Sequence, residues 1–284
     1  MIGPTLAPSR VDEPQPWGLR IGIGLLIVLA VIVVVAPLIW STDPTFESVE
    51  GLSVTGEPLD AGAVGHPLGT DPKGRDLLAR VLDAGRLTLA TAFVSVAIAT
   101  VSGLLVGLMA AGATRFAGSV LMRFTDLGLA IPGLLLAAAI ATVLGRGTLS
   151  LILGLAAIFW APIARVTYGQ AVVLRERDYV EAARVLGAGS VTLLARHVLP
   201  HLLPVVGAYA ALSVGWAVLF ESALGFLGAG IQEPQASIGS MLGAHLVYYR
   251  SHPGLILFPA IFLALMVVAA SLVGESLRTR TEER

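Results

Sequence analysis

Six long apolar runs divide this chain, and polar stretches of very different lengths separate them. A helix rises 1.5 Å per residue, so about twenty apolar residues cross the hydrocarbon core of a bilayer. Each run reaches that length, and each is therefore predicted to be a transmembrane helix. The predicted spans are residues 19–40, 87–111, 120–144, 148–169, 203–227 and 255–274.

The runs predict helices rather than strands. Backbone polar groups in lipid must be bonded within a helix or a closed barrel, and these runs lack the short alternating pattern of barrel strands. The sequence therefore predicts an all-α membrane protein, a bundle of six transmembrane helices. A polar segment, residues 1–18, precedes the first run, which is longer than the apolar part of a signal peptide. We expect this run to be retained as the first span.

Two polar segments are predicted to be external. Residues 41–86 are too polar to span and too long to form a tight turn, so we expect a loop with some structure of its own. Its part from Asp76 to Leu82 has apolar residues at helical spacing, which predicts an amphipathic segment along the membrane surface. Residues 228–254 contain two prolines and are predicted to be mainly loop.

Lys and Arg in the connecting segments set the orientation, because they favour the cytoplasmic side. With the N-terminus inside, twelve of the chain's 18 Lys and Arg residues lie on the inside face and six on the outside. Both termini are then cytoplasmic. The five-helix core, residues 87–278, includes the cytoplasmic segment 170–202, and a short tail, residues 279–284, follows it.

Composition supports a membrane protein and excludes several other classes. Hydrophobic residues make up 56% of the chain and charged residues 13%, with a mean hydropathy of +0.84. A single soluble core of this length does not hide so much apolar surface. The formal net charge of −1 gives no basic excess for nucleic acid. Cysteine is absent, which excludes disulfides and thiol chemistry.

One stretch partly matches a phosphate-binding loop. Gly69 and Gly74 have the required spacing, but Arg75 and Asp76 stand where the loop needs Lys and Ser or Thr. An acid at that position repels phosphate. We therefore expect no ATP site and no enzymatic activity in this chain.

A histidine pair also fails as a metal site. His197 and His201 are four residues apart, but Val198 replaces the Glu of a metalloprotease helix, and Pro200 is predicted to break the helix between them. The pair is predicted to be solvated. We expect no metal or other cofactor bound by this chain.

Three carboxylates fall within or at the edge of spans, where a charge in lipid is costly. Asp126 and Glu275 are predicted near cytoplasmic ends, where they reach water or an arginine such as Arg123 or Arg278. Glu221 is deeper. It either faces a translocation path or is neutral and hydrogen-bonded to a neighbouring helix.

The polar stretch at residues 178–200 predicts two short helices around a glycine turn at Gly187. Ser190 is a plausible N-cap of the second helix, and Pro200 is predicted to end it. The pair is suited to docking in a groove of another protein. The alternative is a surface helix pair that merely connects two spans.

Glu181-Ala182-Ala183, followed by Gly187 and then Leu199-Pro200, resembles the EAA signature of ABC importer permeases. In those proteins this cytoplasmic loop contacts an ATPase subunit. The resemblance implies that the ATPase-coupling residues are Tyr179, Glu181, Ala182, Ala183, Arg184, Gly187, Leu199 and Pro200.

Further blocks resemble the dipeptide, oligopeptide and nickel permeases within this group. These are HPLGTD at 66–71 with GRD at 74–76, ESALGFLGAGIQ at 221–232 with GSML at 239–242, and GESLR at 274–278. Together they cover most of residues 66–278 in family order. The early block and six spans resemble the C-type subunit of the permease pair.

The resemblance implies a six-helix bundle of the ABC importer permease (MetI-like) type in the bacterial plasma membrane. It implies import of dipeptides, oligopeptides or a related small solute. A nickel or metal-chelate importer of the same family and a non-pumping channel or scaffold are the alternatives. The implied partners are a homologous permease in a heterodimer, two cytoplasmic ATP-binding subunits, an external substrate-binding protein and the lipid bilayer, with no nucleic acid.

Overall fold

The computed structural model describes residues 16–282, with side chains described from 17 to 279, and that part of the chain is almost entirely helical. Most of the two predicted tails, residues 1–15 and 283–284, lies outside the described residues. The helices are α1 (Pro16–Ile39), α2 (Leu77–Gly112), α3 (Arg115–Ala130), α4 (Gly133–Leu144), α5 (Thr148–Arg175), α6 (Asp178–Val185), α7 (Ser190–Thr192), α8 (Leu199–Phe226), α9 (Ile238–His245) and α10 (Gly254–Glu282).

The prediction of an all-α membrane protein is confirmed. Helices α1, α2, α5 and α10 are each long and apolar enough to cross a membrane, and so is the continuous helix Ser190–Phe226, which contains α7 and α8. A sixth crossing exists only if α3 and α4 are counted together. These two are bent by 89°.

The predicted span at 120–144 is therefore not a straight helix. The bend lies at Ile131 and Pro132, between α3 and α4. Proline lacks an N–H donor and forces the preceding residue out of the α region. Ile131 accordingly has extended backbone angles, φ −84° and ψ 127°.

The predicted surface placement of residues 76–82 is wrong. These residues form the first turns of α2, which begins at Leu77, ten residues before the predicted span. Leu77 and Val81 are buried and pack in one cluster with Ile238, Met241 and Leu255. The helical spacing of the apolar residues was a correct signal, but their apolar face meets α9 and α10 rather than lipid headgroups.

Helix α2 lies at the centre of the bundle, in contact with α5 on one side and α8 on the other, while α8 packs on α10 and α10 on α1. Glycines allow the close approach of α2 to α5. A Cβ atom on Gly103 would lie 2.6 Å from the carbonyl oxygen of Trp160, and one on Gly107 would lie 2.7 Å from that of Ala164. Gly103 and Gly107 are four residues apart, so both lie on the face of α2 that contacts α5.

The prediction that residues 228–254 are mainly loop is wrong in its middle part, which forms α9. The Ser237 hydroxyl accepts a bond from the Ser240 backbone amide, and the Ser240 hydroxyl accepts one from the Ser237 amide. This capping box starts the helix. Ile238 and Met241 then anchor it in the buried cluster under α2.

Candidate functional site

The segment between α5 and α8 forms two helical arms joined by a tight turn at Gly187. The turn has a φ of +89° at this glycine, a conformation that residues with a Cβ rarely adopt. The Ala188 amide donates to the Ala183 carbonyl at 3.1 Å, and the Gly187 amide donates to that of Arg184 at 2.9 Å. This bond pair is a Schellman motif, which ends α6.

The second arm differs from the prediction at both of its ends. Ser190 is the first helical residue, and Gly189, without a side-chain cap, occupies the N-cap position. Pro200 does not end the helix, because the chain passes through a π-helical segment, Leu193–Val198, directly into α8. The Leu199 amide bonds to the Leu194 carbonyl, five residues back. This wider turn accommodates the proline ring.

A few buried residues attach the arms to the bundle. Val180 of α6 is fully buried, as is Val198 in the π-helical segment. Tyr179 lies against His201, with 5.4 Å between ring centroids, and its hydroxyl donates to the carbonyl of His197 at 3.5 Å. His201 Nδ1 lies 2.9 Å from the same carbonyl. The histidine pair therefore serves contacts within this segment, and the described part of the chain contains no cluster suited to a metal ion.

The outer surface of the arms combines an ion pair with bare apolar side chains. Arg184 Nη1 lies 2.6 Å from Glu181 Oε2, and both side chains are exposed. Ala182 is exposed and Ala183 half-buried. Beside the Gly187 turn, Val185, Leu186 and Val191 are 80%, 88% and 80% exposed.

The sequence reasoning missed these three apolar residues, although two of them directly precede the predicted turn. We call Val185, Leu186 and Val191 the apolar tip. Leu199 and Pro200 lie instead at the start of α8, half-buried and exposed respectively. The implied coupling residues thus divide between the two arms and the base of α8.

Glu221 lies inside the bundle at a junction of three helices. Its side chain is fully buried, and Ser222 Oγ donates to Oε2 at 3.3 Å. The hydroxyls of Thr88 on α2 and Ser237 before α9 also face the carboxyl group. These contacts agree with the interhelical alternative, and the role of Glu221 stays a prediction.

The other two carboxylates near helix ends have arginine partners. Asp126 pairs with Arg165 of α5 rather than with Arg123 of its own helix. Glu275 pairs with Arg278 at 3.3 Å, as predicted. The partner of Asp126 was missed because it comes from a different helix.

A buried ion cluster joins the segment before α2 to the loop before α9. Asp71 is fully buried, and its Oδ2 accepts from Arg75 Nε at 2.7 Å and lies 3.3 Å from Arg80 Nε. Arg75 also reaches Glu233 at 3.1 Å, and Lys73 Nζ reaches the same carboxylate at 2.5 Å. Hydrogen bonding to Lys73 lowers the pKa of Glu233, and the reciprocal bond raises the pKa of Lys73.

Comparison with known proteins relates this chain to transport proteins. Residues 103–284 match the family described as "Binding-protein-dependent transport system inner membrane component". The di/tripeptide transport system permease protein DppC of Pseudomonas aeruginosa is 35% identical over 90% of this chain and 85% of its own length. The oligopeptide transport system permease protein OppC of Haemophilus influenzae is 34% identical over 91% of this chain and 83% of its own.

Among solved structures, an inward-facing form of the MetNI methionine ABC transporter matches with a TM-score of 0.56. The match has 20% sequence identity and covers 72% of this chain and 95% of that one. It confirms the MetI-like fold. Fold, family match and relatives agree, and the chain belongs to the family of binding-protein-dependent transport system inner membrane components.

Proposed function

We propose that this chain is a transmembrane subunit of an ATP-driven importer of dipeptides or oligopeptides. The names of its DppC and OppC relatives support this substrate class. In this proposal the chain forms half of the translocation pathway beside a homologous permease. Two ATPase subunits on the cytoplasmic side supply the energy, an external binding protein supplies the substrate, and the chain itself binds no cofactor.

The apolar tip is the observation that carries the coupling role. An exposed apolar group at the end of a soluble projection is favourable only if another surface covers it. The adjacent Glu181–Arg184 ion pair gives the tip a polar rim, as protein interfaces commonly have. We therefore infer that the tip enters a groove of an ATPase subunit.

Continuity of the second arm with α8 supports transmission of movement. The helix runs without a break from Ser190 to Phe226, so displacement of the tip moves α8 as a lever. The first arm follows α5 after only two residues, 176 and 177. Closure of the ATPase pair on nucleotide would thus shift α5 and α8 together and change which side of the membrane has access to the pathway.

Reconstitution of the complete transporter in proteoliposomes tests this role. Leu186→Arg puts a charge into the covered apolar contact, and Glu181→Lys reverses the rim charge. Loss of a central interface contact costs about 2 kcal/mol, so peptide uptake per ATP hydrolysed should fall at least about tenfold. Normal coupling in both variants would contradict the assignment.

Val64→Arg is the matched control, because Val64 is an equally bare apolar residue in the segment before α2, at the predicted external face. It should leave uptake per ATP unchanged. All three variants should insert into the membrane and copurify with the second permease, since none of the three side chains is buried in the bundle.

A further inference from the structure

A concave site with three arginines lies between α3 and α5 and shares no lining residue with the apolar tip or with the ion cluster around Asp71. Its volume is about 440 Å³. We call it the arginine cavity. Its polar lining consists of Arg115, Ser119, Arg123, Asp126, Arg165 and Tyr168.

The charges in the arginine cavity do not cancel. Arg165 pairs with Asp126, which neutralises one of the three cations. Among the described residues, neither Arg115 nor Arg123 has an ion-pair or hydrogen-bond partner. Two guanidinium groups therefore face the cavity with their donors available, and the hydroxyl groups of Ser119 and Tyr168 add neutral donors.

The cavity lies close to the end of the bundle that carries the helical arms. A Cβ atom on Gly112, the last residue of α2, would meet the Leu194 side chain of the second arm. Thr167, next to Tyr168 on α5, packs against Gly107 of α2. The helical rise puts Gly107 only about 7.5 Å from the end of α2. A cavity this close to the end of the bundle is suited to the boundary between lipid headgroups and acyl chains.

The face of α3 next to the arginines is apolar and bare. Phe116, Val120 and Phe124 are exposed, at 80%, 52% and 63%. A helix turns about 100° per residue, so Arg123 and Phe116 lie only about 20° apart around the axis. The arginine cavity thus lies beside an apolar strip on α3, formed by Phe116, Val120 and Phe124. An amphipathic ligand with an anionic head can contact both.

We propose that the arginine cavity binds the phosphate headgroup of an anionic membrane phospholipid. Arg115 and Arg123 contact the phosphate oxygens, Ser119 and Tyr168 donate further hydrogen bonds, and the acyl chains lie along the apolar strip. Basic pockets between spans at the cytoplasmic side are suited to anionic headgroups. The Asp126–Arg165 pair holds the third arginine at the cavity wall.

Lipid retention by the purified transporter tests the proposal. The complex in neutral detergent is titrated with phosphatidylglycerol or with phosphatidylcholine, and bound lipid is counted by native mass spectrometry. Phosphatidylglycerol should bind in preference. In Arg115→Gln/Arg123→Gln its affinity should fall roughly thirtyfold, because each basic residue near an anionic lipid contributes a factor of about five.

Two further variants make the result specific. Arg86→Gln/Arg250→Gln removes two exposed arginines from the predicted opposite face and should keep wild-type affinity. Ser119→Trp fills the cavity without changing its charge and should weaken phosphatidylglycerol binding as the double arginine variant does. Unchanged affinity in either cavity variant, or equal binding of the two lipids, would overturn the proposal.

Competition distinguishes the ligand's source. Inorganic phosphate and the peptide Asp-Asp-Asp, each at millimolar concentration, should leave bound phosphatidylglycerol unchanged, since neither has an apolar part for the strip on α3. Displacement by phosphate would assign the cavity to a free anion. Displacement by the peptide would assign it to the translocation pathway, and either result would reject the lipid site.

Discussion

Arg75 Nε donates to the buried carboxylate of Asp71 at 2.7 Å, and both side chains are almost completely removed from solvent. The same carboxylate oxygen lies 3.3 Å from Arg80 Nε. One buried acid therefore holds two buried cations between the segment before α2 and the start of that helix. Removing one member of such a cluster is costly, because the remaining charges lose their partner without regaining water.

Asp71→Ala should lower the free energy of unfolding of residues 41–76 and the start of α2 by about 3 kcal/mol. Glu47→Ala is the matched control. Glu47 lies 3.2 Å from Lys73, but it is exposed, and exposed pairs contribute about 1 kcal/mol or less. Both purified variants are titrated with urea, and limited proteolysis within residues 41–76 reports the unfolding midpoint of this segment. Equal midpoints for the two variants would contradict the structural role of Asp71.

Gly187→Ala should strain the turn between the arms, because a residue with a Cβ pays about 1 to 2 kcal/mol for a left-handed conformation. No atom lies within 4 Å of the added methyl group, so any loss comes from the backbone alone. Gly189 has equally open space but an ordinary φ of −69°, which makes Gly189→Ala the control. ATP-coupled uptake should fall in the first variant and persist in the second.

Hydropathy predicts which runs are apolar enough to span a membrane. It does not show whether the helix within a run is straight or bent. Residues 120–144 are apolar apart from a few positions such as Arg123 and Asp126, so the bend at Pro132 did not interrupt the apolar run, although the proline itself was a usable signal. The predicted span began at residue 87 because residues 41–86 as a whole are too polar to cross a membrane, yet α2 begins at Leu77. Arg80 is buried by virtue of Asp71, a contact that no local pattern contains.

The candidate site could be predicted only in part, because some of its features depend on contacts between helices and not on the local sequence. Gly187 marked the turn through its own backbone requirement. Pro200 predicted a helix end, yet the π-helical segment before it let the helix continue. The exposure of Leu186 and the pairing of Asp126 with Arg165 depend on which helices become neighbours. Periodicity within one helix does not determine that arrangement.

Gly239→Ala should displace α9 from α8. A Cβ atom on Gly239 would overlap the backbone carbonyl group of Ser222, and backbone atoms cannot move aside as a side chain does. Overpacking of this kind typically costs 1 to 3 kcal/mol, roughly. Gly207→Ala is the control, because no atom lies near Gly207 and alanine favours a helix. Thermal unfolding should show a lower midpoint for Gly239→Ala only.

Acidification should destabilise the protein through His245, which lies at the end of α9, outside the spanning helices. The imidazole is almost fully buried, and its Nδ1 has no hydrogen-bond partner among the described residues. Burial lowers the pKa of His245 and outweighs the Asp71 charge and the backbone hydrogen bond to Leu255, which raise it, while the charges of Arg80 and Arg75 also lower it. The folded protein therefore holds this histidine neutral at a pH where the unfolded chain protonates it.

A histidine whose pKa is lower in the folded state binds more protons when unfolded, so stability falls as the pH decreases through about 6.5, its unfolded value. Above that pH the contribution is constant. The unfolding midpoint of the purified protein, measured from pH 8 to pH 5.5, should fall on the acid side. His245→Gln should flatten this fall, whereas His252→Gln, which changes a more exposed histidine, should leave it in place. An identical slope in His245→Gln would show that other groups cause the acid sensitivity.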